Sequence, residues 1–446
     1  MGVKFLSFLG MGKYETVHYS FDNDKKDFYP VKFIQVSITR HLLKNQILDG
    51  DAEIIIFTTK DAYVTNWSPS AREGLAHEMH DLEKAYRRDH PTFPSLKNVE
   101  IPEGRSEEEL WVIFNTIYNC IDEQDEVYFD ITHSFRSIPL LSQIVLNFLR
   151  VTKNIHIRKM YYGALNALGT LKEIQDMPFR KRRVPVFDLT PFIDLLSWTT
   201  AAYEFVSSGH TGLLNELTRR QVQPMLKDNK GDTFGANALN KLAKSLQIFS
   251  SSVQVCNAPK LPVNLDNLKK NIDEAREHVK MIPPLRELLK IIEKVFTGVE
   301  IDRTPFEKIN FTIEYCLKHG LIQQGYTLLK ENIVSFGCAR AGIDYNDSRN
   351  RQLFTKALSI KEHGRQESDW KYFSGNNWYN KDRQREIIKR ILQIDLRPYI
   401  HLNGKINNNR NALSHAYFTK YNPKFTAFVQ NGLEALNDLK KLMSMG

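Results

Sequence analysis

The chain has 446 residues, 42% of them hydrophobic and 25% charged, which suits an ordinary globular protein of two or three domains with sizeable cores. Its four cysteines, Cys120, Cys256, Cys316 and Cys338, are far apart and form no CxxC pair, which argues against a disulfide framework and a cysteine zinc site. A net charge of +9 and a pI near 9.1 lean toward a polyanionic partner.

The first apolar run, Val3 to Leu9, is too short for a signal peptide or a membrane span, and a cytoplasmic protein without a membrane partner is expected. Residues 3–8 read as a buried strand ending in the loop Gly10-Met11-Gly12. Two short β-like pieces follow at 17–21 and 28–31, then a helix at 33–48. Glu53-Ile54-Ile55-Ile56-Phe57-Thr58 has the continuous apolar character of a strand in a parallel sheet. Residues 59–69 read as a loop and 70–88 as an amphipathic helix. Further strands are expected at 98–102, 126–131 and 155–162, with helices at 106–120 and 138–150. The spacing of Ser106 and Glu109 predicts a capping box at the start of the first of these helices.

This alternation predicts an α/β, doubly wound, mostly parallel sheet, which binds ligands at the carboxyl ends of its strands. Two such ends are polar. At the first, Ser7 precedes Gly10, Met11 and Gly12, whose backbone lets a ligand approach closely; it is neither a GxGxxG nor a P-loop, and a plain tight turn is the other reading. At the second, Thr132, His133, Ser134 and Arg136 crowd the turn from strand to helix, where free N–H groups favour anions. One hydroxyl would suffice for capping, so the added imidazole and guanidinium point to a phosphate or nucleotide site.

Arg180-Lys181-Arg182-Arg183 lies between Pro178 and Pro185, where the composition shifts and a domain boundary is placed. Helical spacing dominates afterwards: 192–207, 236–249, 265–279, 284–296, 306–318, 321–336, 403–418 and 423–445. Residues 349–397 are rich in Lys and Arg and interleaved with Trp370, Tyr372, Phe373, Trp378 and Tyr379. That pattern suits a single-stranded nucleic-acid track, or equally a solvated face with core aromatics.

Near the carboxyl end, Arg410, Asn411 and His415 combine a permanent cation that grips phosphate with a ring that moves protons near neutrality. Such a set can cleave RNA without a metal, and no metal site is expected. Five residues of helix turn a side chain by about 140°, so Arg410 and His415 do not stack on one face. A full site needs the arginine to reach around, or two copies of the segment to meet across a two-fold axis. Arg72 and His77 share the same spacing, and this second copy is taken as accidental.

With both ends in view, the chain resembles the CRISPR-associated CARF–HEPN ribonucleases of type III systems, Csx-type members included. The resemblance rests on Phe5-Leu6-Ser7-Phe8-Leu9-Gly10 with Gly12, on Asp130-Ile131-Thr132-His133-Ser134-Phe135-Arg136-Ser137-Ile138-Pro139, and on Arg410-Asn411 to His415. Gln323-Gln324 and Glu331 also match, whereas residues 220–300 offer no motif. It implies a Rossmann-like CARF domain at 1–185 that senses a cyclic oligoadenylate, with cyclic tetra-adenylate favoured over the six-membered ring. It further implies a helical HEPN domain at 186–446 that cuts single-stranded RNA as a homodimer or a higher assembly of dimers. Ser7, Gly10, Met11, Gly12, Thr132, His133, Ser134 and Arg136 then fall in the ligand region, and Arg410, Asn411 and His415 in the nuclease site. No cofactor beyond that activator is implied. The other functional class is a nucleotide sensor that binds nucleic acid without cutting it.

Overall fold

The computed structural model describes residues 2–21, 28–68, 70, 73–133, 138–229, 232–278, 285–418 and 423–445. Two compact units divide between Asp194 and Leu195.

The first unit runs β1 (Val3–Leu9), β2 (Val17–Phe21), β3 (Pro30–Val31), α1 (Ile34–Lys44), β4 (Glu53–Thr58), α2 (Lys60–Ala62), α3 (Leu75–Tyr86), β5 (Ser95–Glu100), α4 (Glu107–Asn119), β6 (Glu126–Asp130), α5 (Ile138–Thr152), β7 (His156–Gly163), α6 (Leu171–Asp176) and β8 (Arg183–Asp188). The eight strands form one sheet in the order β3-β2-β8-β7-β6-β1-β4-β5. From β7 to β5 every pairing is parallel; β8 is antiparallel to β7 and β3 to β2. The expected doubly wound, mostly parallel sheet is therefore present.

Both faces are covered because the central strands carry apolar residues on both sides. Phe5, Leu9, Ile54 and Ile56 pack on one side with Ile34, Ile38 and Met79 from α1 and α3. Leu6, Phe8, Ile55 and Phe57 pack on the other with Ile113, Ile117, Leu146 and Leu149 from α4 and α5. At about 25 cal/mol per Å² of buried apolar surface, a strand buried on both faces contributes roughly twice what a one-faced strand does.

Three local expectations change. The stretch expected as a loop at 59–69 is helical: Thr59 caps α2 by accepting from the Ala62 N–H at 3.3 Å, and a π-helical turn follows at Tyr63–Trp67. Ser106 caps α4 through the Glu109 N–H at 3.2 Å, but Glu109 reaches back to the Arg105 N–H at 2.7 Å instead of closing a box on Ser106. Part of the basic joining stretch is a strand, β8. Val184 and Val186 point into the core from alternate positions, and parallel pairing with β2 supplies the backbone partners.

The chain continues with α7 (Thr190–Ser208), α8 (Gly212–Leu217), α9 (Gln223–Asp228), α10 (Thr233–Gln254), α11 (Leu261–His278), α12 (Leu285–Val295), α13 (Pro305–Lys318), α14 (Ile322–Arg340), α15 (Ser348–Glu362), α16 (Lys381–Leu392), α17 (Arg397–Ser414) and α18 (Phe425–Ser444). In the second unit, α14 is wrapped by its neighbours. Its buried Tyr326, Leu329 and Ile333 join Ile313 of α13, Phe354 of α15, Ile406 of α17 and Phe428 of α18 in one core. Gly337 permits the closest of these approaches: a Cβ there would meet the Phe354 ring at 2.0 Å.

Candidate functional sites

In the first unit β1 lies between its parallel partners β6 and β4; after β2 and β3 on the far edge the chain adds β4 and β5 on one side of β1, then β6 on the other. The carboxyl ends of β1 and β6 therefore flank the switch point of the sheet, where ligands bind in this architecture. The two polar ends read from the sequence meet there. Ser7 and Asp130 are register partners, and the fully buried Ser7 hydroxyl donates to Asp130 Oδ2 at 2.6 Å.

Asp130 was missed as a functional residue by the sequence reading. Its Oδ1 accepts from the Thr132 N–H at 3.0 Å and the Thr132 hydroxyl at 2.5 Å. Burial pushes its carboxyl up to about 6, against the three hydrogen bonds that favour the anion. The Thr132 hydroxyl also accepts from the Gly163 N–H at 2.7 Å, a contact that requires glycine because a Cβ would meet Ile34 Cδ1 at 2.2 Å.

The Gly10–Gly12 loop is held from two sides. The Tyr14 hydroxyl accepts from the Gly10 N–H at 2.9 Å, and the buried Asn66 amide donates to the Gly10 and Gly12 carbonyls at 2.9 and 3.1 Å. Asn66 comes from the π-helical turn that was expected as loop. A cavity of about 300 Å³ opens above, lined by Gly10, Met11, Gly12, Tyr14, Thr132 and His133 among others. The His133 ring meets Tyr14 edge to face with centroids 4.5 Å apart, and its Nε2 has no hydrogen-bond partner among the described residues. Burial lowers the His133 imidazole to about 4, so the neutral ring faces the cavity at neutral pH.

Ser7 does not border this cavity. Its hydroxyl donates to Asp130 and accepts from Gln35 Nε2 at 3.1 Å, so the expected direct contact with a ligand becomes support for Asp130. Ser134 and Arg136 lie outside the described residues.

In the second unit Asn411 lies in the last turn of α17, Arg410 directly precedes that turn, and His415 is the C-cap. Arg410 is half-buried, while Asn411 and His415 are exposed. None of the three side chains makes a hydrogen bond or ion pair among the described residues. The helix ends in a Schellman turn, with the Tyr417 N–H donating to the Ala412 carbonyl at 2.8 Å. Ala416 and Tyr417 adopt φ of 48° and 64°, a left-handed pair without glycine. Such strain costs on the order of 1–3 kcal/mol per residue.

One residue before Arg410, buried Asn409 donates to the Tyr326 hydroxyl at 2.7 Å, which donates to the Phe428 carbonyl at 2.9 Å. That chain ties α17 to α14 and α18. Lys330 on α14 is a second missed residue. Burial, then the Arg410 charge, hold its ammonium below the usual lysine range, and it donates to Asn403. Glu331 is occupied by Arg351, while Gln323 is exposed. Of the accidental pair, His77 sits on α3 near Asp81 at 3.4 Å, and Arg72 lies outside the described residues.

Among the described residues no group of three or more His, Cys, Asp or Glu is arranged to hold a metal ion. No helix among them is long and apolar enough to cross a membrane.

Residues 194–299 match the family model described as CRISPR-associated protein MJ1674, second domain. The CRISPR-associated protein MJ1674 of Methanocaldococcus jannaschii is 25% identical over 276 residues, covering 58% of this chain and 38% of its own length. The match thus spans well under half of that relative. The structure of Enterococcus italicus Csm6 bound to cyclic hexa-2'-fluoro-hexa-dAMP aligns over 98% of this chain and 92% of its own, at 12% identity and a TM-score of 0.37, a likeness that carries no argument. Both sequence matches are thus to one CRISPR-associated protein and to part of this chain, in keeping with the Csx-type resemblance of its two ends.

Proposed function

We propose that the chain is a cyclic-oligoadenylate-activated, metal-independent endoribonuclease that cleaves single-stranded RNA in type III CRISPR defence. The observation that carries this reading is the end of α17, where a cation, an amide and an imidazole share one helix end and none has a hydrogen-bond or ion-pair partner among the described residues. The exposed amide and imidazole and the half-buried guanidinium are open to a ligand from solvent.

In the proposed reaction one His415 takes the proton of a ribose 2′-OH. The freed oxygen attacks the adjacent phosphorus, the bond to the 5′-oxygen breaks, and a 2′,3′-cyclic phosphate forms. The His415 of a second copy returns a proton to the 5′-oxygen, and Arg410 stabilises the charge on the non-bridging oxygens. A homodimer, or a higher assembly of dimers, supplies both imidazoles and removes the difficulty of the five-residue spacing.

Residues 1–185 are proposed as the CARF sensor and 186–446 as the HEPN nuclease. The cavity at the switch point supports the sensor reading, with Gly10, Met11, Gly12, Thr132 and His133 at the ligand and Ser7 behind them; Ser134 and Arg136 are kept on the resemblance alone. A volume of about 300 Å³ is at the small end for a ligand pocket, which suits a symmetric ring shared by two copies. Activation requires that the ring, cyclic tetra-adenylate by preference, bind the cleaving arrangement better than the resting one.

The test is fluorescent single-stranded RNA incubated in EDTA with the protein and each cyclic oligoadenylate. Cleavage with one ring size, lost in His415→Ala, is expected. Full cleavage by a pure His415→Ala protein would refute the site. RNA retained but uncut under every ring would favour the binding regulator, for which the basic stretch 349–397 is the support.

A further inference from the structure

The basic stretch between α14 and α17 is not used by the chemistry above. Residues 349–397 carry twelve Lys and Arg against six Asp and Glu, a balance of +6 in a chain of +9. Half of these cations are locally neutralised: Arg349 by Asp347, Arg351 by Glu331, Arg383 by Glu386, Arg385 with Lys389 by Glu367, and Arg397 by Asp395. Lys356, Arg365 and Lys371 have no carboxylate partner among the described residues, and Arg365 and Lys371 lie near enough to Lys356 for their charges to act on it. Lys356 stands over the Phe373 ring at 4.3 Å. Burial, then the Arg365 and Lys371 charges, hold its ammonium below the ordinary lysine range, so both cations repel that of Lys356.

The aromatic residues beside them are built into a platform. Phe373 stacks on Trp378 with centroids 4.1 Å apart and planes at 15°. Fully buried Gln384 of α16 fixes the loop, accepting from the Phe373 N–H at 2.9 Å and donating to the Phe373 and Tyr379 carbonyls at 2.8 and 2.7 Å. Trp378 also borders an open depression of about 610 Å³ lined by Asn346, Gln352 and Asn377, whose amides can pair with base edges. Asp344 and Asp347 line it too, but Asp347 is held by Arg349 at 2.6 Å and by the Tyr379 hydroxyl at 2.6 Å.

We propose that Lys356, Arg365 and Lys371, with the Phe373–Trp378 stack, form a surface that grips single-stranded RNA apart from the residues proposed to cut it. Cations that repel one another are relieved by phosphates, and stacked rings beside them accept bases without regard to sequence. This inference rests on the ribonuclease reading for its ligand.

The test uses the full chain with His415→Ala, so that RNA is bound without being cut, and a labelled 20-nucleotide oligouridylate read by fluorescence anisotropy across a salt series. Adding Lys356→Ala, Arg365→Ala and Lys371→Ala should weaken binding at least tenfold at low salt. Three lost phosphate contacts should also flatten the plot of log K against log salt by about 2. A circular-dichroism melt checks that the variant is folded, and Lys371→Glu alone, on an exposed position, gives the same direction with less risk to the core. Unchanged affinity and slope in folded variants overturn the surface. If the wild type cuts RNA while the variants bind it normally, only this inference falls. If no form of the protein binds or cuts RNA with any cyclic oligoadenylate, the ribonuclease reading falls with it.

Discussion

Ser7 and Asp130 stand opposite each other in adjacent parallel strands, 123 positions apart in sequence, and share a 2.6 Å hydrogen bond beneath the switch point of the sheet. The bond joins the two ligand-region motifs into one structure. Asp130 in turn orients Thr132, so that a change at Ser7 reaches the cavity without Ser7 bordering it.

Two titrations at this place oppose each other. Asp130 is raised by burial from the usual carboxylate range to about 6. Its contribution to stability is fully present below the unfolded value near 4 and is lost as pH rises through 6. His133 is lowered to about 4, so its contribution is present above the unfolded value near 6.5 and is lost as pH falls through 4. Between about pH 4 and 6 the two nearly cancel. Asp130→Asn should therefore give a stability that climbs with pH across that window, on the order of 2–3 kcal/mol in all. His133→Gln should give one that falls. Urea midpoints measured at half-unit intervals test this, and identical pH profiles for both variants and the wild type would contradict it.

The ligand end yields a binding prediction. Thr132→Ala combined with His133→Ala removes a hydroxyl that braces the β6 turn and a neutral ring nitrogen that has no partner among the described residues. Losing one or two good hydrogen bonds to the activator weakens binding by roughly ten- to a hundredfold. Calorimetry with cyclic tetra-adenylate and cyclic hexa-adenylate reads the loss directly; an unaltered isotherm would remove this turn from the pocket.

The sheet was legible because β1, β4 and β6 carry runs of consecutive apolar residues, which local sequence displays. β8 was not legible, since its pattern is short and the basic run Arg180 to Arg183 extends into its first residue; only pairing with β2 and β7 makes it a strand. Asn66 was hidden in a stretch whose helical turn depends on the Thr59 cap, and its role depends on where Gly10 and Gly12 fall in space. Arg410, Asn411 and His415 could be read together because they are neighbours in sequence. Lys330 could not, because its nearness to Arg410 arises from the packing of α14 on α17. The missed residues act across long sequence separations, which periodicity and spacing do not report.

The anchor of α17 gives a stability prediction. Asn409→Ala leaves the Tyr326 hydroxyl without its buried donor, and Tyr326→Phe leaves both Asn409 and the Phe428 carbonyl unpaired. Each should cost about 1–3 kcal/mol. The double variant should cost less than the two added, because the same pair is broken only once. A denaturant series on all four proteins measures the coupling, and strict additivity would show that the pair does not act as a unit.

Lys330 gives the last prediction. Its ammonium is partly buried, depressed by the neighbouring Arg410 charge, and hydrogen-bonded through Asn403. Two cations held close together disfavour each other until a phosphate lies between them, so the pair gains most when RNA binds. Lys330→Met keeps the alkyl stem and removes the charge. It should lower kcat/KM for RNA by roughly ten- to a hundredfold, the range expected for one charge-assisted contact of about 1.5–3 kcal/mol. It should also flatten the salt dependence of RNA affinity by about 0.7, the share of one single-strand phosphate. Cyclic-oligoadenylate binding should not move, since Lys330 is not among the residues lining that cavity. Wild-type kcat/KM together with a wild-type salt slope would reduce Lys330 to a packing residue and leave Arg410 as the cation of that site.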